Sequence, residues 1–88
     1  MTAQKLEWQP LWDAMDANPD LWIPTTEHMY WEMLCCVPPR AQTSRGFLVG
    51  EPLRHDNGKA VHACFKRVGD DFFAKNLTLE QWTYEVAP

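Results

Sequence analysis

His62 and Cys64 are the two side chains of this 88-residue chain whose types and spacing come closest to a chemical pair. Two residues apart on an extended segment, they point the same way. Strand geometry holds them about 6.5–7 Å apart, too far for a base to take a thiol proton directly. His28, His55, Cys35 and Cys36 are further potential ligands, but zinc sites carry two pairs of ligands two to four residues apart. One His-x-Cys and a vicinal Cys-Cys match no such spacing. The Asp70-Asp71 carboxylates follow Gly69 in a turn, where solvation is their ordinary state. There is no Gly-x-Ser-x-Gly elbow, phosphate loop or dinucleotide fingerprint, and Gly46 and Gly50 read as strand-boundary glycines. The expectation is a protein that is not an enzyme, with no catalytic, cofactor-binding or metal-binding residues.

What the chain has in excess is aromatic surface. Five Trp, four Phe and two Tyr are many rings for so short a sequence. At about 150–250 Å² each they cannot all be enclosed. Met29, Tyr30 and Trp31 are consecutive and cover a broad arc of any helix they form. Exposed Trp and Tyr favour interface hot spots, so Trp8, Tyr30 and Trp31, with Glu27 on the neighbouring arc, are the candidate protein-contact residues.

The elements that must position these residues change period midway. Pro10 suits the first position of a helix, and Leu11, Trp12 and Met15 recur at helical spacing until Asn18-Pro19-Asp20 ends it. Leu21–Ile23 is an apolar connector closed by Pro24. Thr25 is the expected N-cap of a second helix over Thr26–Cys36, with Glu27 in the first turn. Its buried face should carry Met29, Met33 and Cys36, and Pro38-Pro39 stops it. Ala41–Arg45 is a polar loop. Gly46–Leu53 then reads as a strand with Phe47, Val49 and Leu53 on one face, at a sheet edge because Pro52 lacks a donor. Asn57-Gly58 predicts a type I′ hairpin turn into a strand over Ala60–Val68. Gly69-Asp70-Asp71 predicts a second turn, into a strand over Phe72–Asn76. Thr78-Leu79-Glu80-Gln81 is a capping box starting a short helix with Leu79, Trp82 and Val86. The expected fold is one α+β domain over residues 1–88, in the order α-α-β-β-β-α, a three-stranded antiparallel meander with helices packed on one face.

Composition narrows the function classes. With 45% hydrophobic residues the chain can build a core, which a disordered tail cannot. No apolar run reaches membrane-spanning length, and residues 1–8 do not read as a signal peptide. Net charge is −4, and only Lys66-Arg67 are adjacent basic residues. That argues against direct nucleic-acid binding, which needs a basic stripe. Three cysteines, two of them neighbours, point to free thiols in a reducing, cytoplasmic setting.

The stretches Met29–Leu34, Pro38-Pro39-Arg40 and Gly46–Pro52 resemble short uncharacterised proteobacterial proteins of the domain-of-unknown-function type, carried on plasmids and phages. The resemblance covers about a quarter of the chain and brings no catalytic residue with it. It implies a mobile-element setting, in which small acidic proteins act as inhibitors of host defence complexes, in the manner of anti-CRISPR proteins. The function expected is therefore a small non-enzymatic protein-binding module, with a protein partner or a homodimer and no membrane contact. Two alternatives stand beside it: a small-ligand or metal-binding accessory protein using His62 and Cys64, and a small subunit of a larger enzyme complex.

Overall fold

The switch from helical to strand periodicity near Pro38 organises the fold. The computed structural model describes residues 4–86. Helices α1 (Trp8–Ala17) and α2 (Glu27–Leu34) flank a short strand, β1 (Ile23–Thr25). A single 3₁₀ turn (Pro39–Ala41) leads to β2 (Gly46–Leu48), β3 (Arg54–Asp56), β4 (Lys59–Val68) and β5 (Asp71–Thr78), followed by helix α3 (Leu79–Glu85). The strands form one antiparallel sheet in the order β1-β5-β4-β2, with β3 also paired to β4.

Two tight turns build the centre of the sheet. Asp56 pairs with Lys59, and Asn57 and Gly58 between them take φ of 53° and 80°. Positive φ at both positions is the type I′ requirement that Asn-Gly meets. Val68 pairs with Asp71, and of Gly69-Asp70 only the glycine has positive φ. That is the glycine-first arrangement of a type II′ turn.

The expected three-stranded meander becomes five strands for two reasons. The Leu21–Pro24 connector supplies most of β1, with Ile23 opposite Ala74 and Thr25 opposite Phe72. Pro24 is tolerated because β1 is an edge strand. The expected strand Gly46–Leu53 breaks after Leu48. Leu48 lies opposite Cys64 and Arg54 opposite Val61, so six steps along the edge cover three along β4. The three extra residues, Gly50-Glu51-Pro52, form a bulge between the Val49 N–H bond to the Ala63 carbonyl and the Leu53 N–H bond to the Val61 carbonyl. Leu53 is thereby turned out to solvent, and Arg54 takes the position facing α1.

Helices cover both faces of the sheet, not one. Ala63 and Phe65 of β4 pack under Leu11 and Met15 of α1 and Met29 and Tyr30 of α2. Cys64, pointing the other way, joins Leu48 and Leu77 under Trp82 of α3 and Val86 just after it. The reason lies in β4 and β5 themselves, which carry apolar side chains at both alternating sets of positions. Such strands must be covered twice.

Two details of the helices also differ from expectation. The N-cap of α2 is Thr26, whose hydroxyl accepts from the Met29 N–H at 3.1 Å. Thr25 is instead buried in β1 and donates to the Leu6 carbonyl at 2.7 Å. Because α2 ends at Leu34, Cys36 falls off its face and is exposed, and Val37 takes its place in the core beside Met29 and Tyr30. The α3 capping box forms as its sequence pattern requires. No helix among the described residues is long and apolar enough to cross a membrane.

Candidate functional site

The His62–Cys64 pair is taken up by structure. His62 Nδ1 lies 2.9 Å from the Val49 carbonyl, which can only accept, so that nitrogen carries the proton and ties β4 to the bulged edge. Cys64 is fully buried, its thiol donating weakly to the His62 carbonyl at 3.7 Å. Burial pushes the Cys64 thiol well above its ordinary value, against a smaller lowering by a hydrogen bond from the Leu77 backbone. A thiol held protonated is a poor nucleophile and a poor metal ligand. Cys35 and Cys36 are exposed free thiols at the end of α2. Among the described residues no cluster of three or more His, Cys, Asp or Glu side chains is arranged to hold a metal ion.

The proposed contact residues divide. Trp8 is 48% exposed and Trp31 43%, and Glu27 is exposed at the start of α2. Tyr30 is only 4% exposed. Its ring packs edge-on against Phe47 at 5.0 Å and tilted against Phe72 at 4.9 Å. It belongs to the core and leaves the list of surface contacts. Helical rotation explains the split, since Met29 and Tyr30 straddle the sheet-facing side while Trp31, about 200° round the helix from Met29, points away from it. Burial raises the Tyr30 phenol above its ordinary value, partly offset by Arg67.

Trp8 is held out by its backbone. Its φ is +52°, and among the described residues the only other non-glycine with positive φ is the turn residue Asn57. For a bulky side chain this conformation costs about 1–2 kcal/mol. Just before it, Glu7 accepts a hydrogen bond from the Thr26 hydroxyl, which brings the start of α1 to the start of α2. The layer outside the sheet on this side is also strongly acidic. Glu7, Asp13, Asp16, Asp20, Glu27 and Glu32 stand against Lys5 alone over residues 1–37, a net −5. The remaining residues, with seven basic and six acidic side chains, carry +1.

One polar cluster has no local signature in the sequence. Asp16 of α1 accepts from Arg54 of β3 at 3.2 Å and from the Asn76 side-chain amide of β5 at 3.0 Å. These residues are 38 and 60 positions apart from Asp16, so only the folded chain brings them together. On the opposite face Lys66 lies over the Trp22 ring, 4.2 Å from its centroid. Desolvation there lowers the Lys66 ammonium, with Glu85 acting in the other direction. Compared with protein-family models, with curated proteins and with solved structures, the chain matches none.

Proposed function

We propose that this chain is a non-enzymatic protein-binding module whose recognition surface is the α1/α2 layer, with Trp8 and Trp31 as anchors and a basic protein surface as its counterpart. The observation that carries the reading is Trp8. A half-exposed tryptophan held in a backbone conformation that costs free energy is a pattern associated with functional sites. The surrounding carboxylates add charge complementarity, which speeds association and selects a positively charged partner. The same net −5 makes two copies of this face repel, which favours a different protein over a homodimer. Basic surfaces are typical of nucleic-acid-handling proteins. Together with the resemblance to plasmid- and phage-borne proteins, this supports inhibition of a host defence complex as the role. The burial of Cys64 and the engagement of His62 weigh against the ligand- or metal-binding alternative.

Photo-crosslinking residues placed at positions 8, 31 and 84, in cells of the natural host, test the proposal. The expected result is a common crosslinked protein from positions 8 and 31, and none from 84. Its affinity should fall by about 2 kcal/mol or more in Trp31→Ala and weaken with added salt. A second reading rests on α3, where Leu79 and Tyr84 stand out into solvent. Crosslinks from position 84 alone would favour it and reject the α1/α2 surface.

A further inference from the structure

The polar cluster around Asp16 borders two clefts at the corner of the sheet that α1 leaves uncovered. The larger, about 570 Å³, lies between the Pro19-Asp20 segment, the β3–β4 hairpin and the start of α3. The smaller, about 280 Å³, reaches under α1 to Trp12. Arg54 and Asn76 line both clefts and so form the wall between them.

Asn76 is only 8% exposed, and its Oδ1 has no hydrogen-bond partner among the described residues. The orientation of the amide is fixed, because Asp16 can only accept and Nδ2 must face it. The free group is therefore an acceptor, and a buried acceptor left unmet is costly. Charge points the same way. Asp16, Asp20, Asp56 and Glu80 face Arg54 and Lys59 across the clefts, and Asp20 makes no ion pair among the described residues. Among the described residues the Arg54 side chain is held by exposed pairs with Asp16 and Asp56 alone, which constrain it weakly. Because Arg54 lines both clefts and pairs with Asp16, a shift of its side chain would open the wall between them and free the Asp16 carboxylate.

The geometry points to a binding site for an organic cation with N–H donors, a guanidinium or primary ammonium group. Such a group takes the place of the Arg54 guanidinium on Asp16 and adds the hydrogen bond to Asn76 Oδ1 that Arg54 does not make. Asp20 supplies further charge at the rim, and Trp12 offers an aromatic wall. Asp16 and Asp20 also count among the carboxylates of the α1/α2 layer, but the site rests on the clefts and Asn76 and does not depend on the recognition reading.

Agmatine, which carries both cationic groups, is the probe, titrated into the whole chain while the Asn76 side-chain amide and Trp12 indole resonances are followed by NMR. Saturable shifts of both signals are expected at millimolar concentration or below. Asn76→Ala should weaken binding by about tenfold or more. Asp20→Asn, on the exposed rim, should weaken it several-fold and serves if Asn76→Ala does not fold. Arg54→Ala should tighten binding, because the competing guanidinium is gone. Tetramethylammonium, with the same kind of charge and no N–H, should leave both signals unmoved. A capped tripeptide with a central arginine separates the sources: tighter binding than agmatine assigns the site to a partner's side chain, weaker binding to a free small cation. No saturable shift with either probe, an equal response to tetramethylammonium, or loss of agmatine binding in Arg54→Ala overturns the proposal.

Discussion

The two faces of the sheet are built differently. Under α1 and α2 the core interlocks rings, with Phe47 and Phe65 stacked at 5.1 Å and Tyr30 and Trp12 meeting Phe65 edge-on. Under α3 it is thin, made of Leu48, Cys64, Leu77, Trp82 and Val86, and the buried Trp82 indole N–H has no partner among the described residues. Stability therefore rests mainly on the first face. The helices outside that face can then spend surface positions on carboxylates and exposed tryptophans, which add little to folding. The difference teaches that one side of α1 and α2 supplies the core while the other displays carboxylates and exposed tryptophans, the surface on which the proposed recognition rests.

The comparison breaks most decisively at two neighbouring residues. Tyr30→Ala should cost about 3–5 kcal/mol, as expected for a large buried ring. Trp31→Ala should cost about 1 kcal/mol or less, within the range of a surface change. Denaturant unfolding of the pair measures both, and equal losses would erase the distinction between core and surface residues.

That pair also shows how far the sequence was legible. Periodicity locates α2 and its aromatic arc but phases it on Met29, Met33 and Cys36, although Met29, Tyr30, Met33, Leu34 and Cys36 offer more than one apolar stripe and the core takes Tyr30 and leaves Cys36 exposed. The choice of Tyr30 for the core is made by Phe47 and Phe72, which come from distant strands. Two signals whose chemistry is local form as their sequences require, although the α2 cap falls on Thr26 and not on Thr25. Asn57-Gly58 makes its turn and Thr78-Gln81 its capping box. The bulge at Gly50–Pro52, the pairing of β1 with β5 and the Asp16–Arg54–Asn76 cluster depend on register between remote segments, which no short motif encodes. The coverage of both faces was inscribed in β4, where Cys64 is apolar on the side opposite Phe65, but a lone cysteine among His62 and Lys66 is a faint mark.

A smaller loss is expected at the joint between the two faces. Gly46 is buried where β2 crosses β4, and a methyl group there would overlap the Phe65 carbonyl oxygen and approach Val86 Cγ1 to 2.8 Å. Gly46→Ala should destabilise by about 1–3 kcal/mol through forced repacking. Thermal melts check it, and an unchanged midpoint would mean that the strands are not so closely apposed. On the α3 side, Thr78→Ala removes one half of the capping box and should cost about 1 kcal/mol. Its circular dichroism loss should be confined to α3, leaving the α1/α2 face folded.

The smallest effect is a pH dependence. Cys64 and Tyr30 are both held protonated by burial. The folded chain therefore keeps protons that the unfolded chain releases, and stability falls as the pH rises past about 8.5 for the thiol and about 10 for the phenol. Lys66, lowered by desolvation, works in the opposite direction in the alkaline range. Cys64→Ala should flatten the first part of the decline, and urea midpoints between neutral and alkaline pH measure it. A wild-type midpoint that does not fall would show Cys64 to be open to solvent.

The central claim is that Trp8 is displayed by a costly backbone and not buried by the core, and thermal unfolding of Trp8→Ala beside Trp8→Gly tests it most directly. At an ordinary helical position glycine is the less stable of the two by about 0.5–1 kcal/mol. At φ +52° the order reverses, since only glycine adopts that conformation freely. The account predicts both variants within about 1 kcal/mol of the parent chain, with Trp8→Gly melting above Trp8→Ala. Losses of about 3 kcal/mol or more in both, with alanine above glycine, would make Trp8 a core residue and contradict the account.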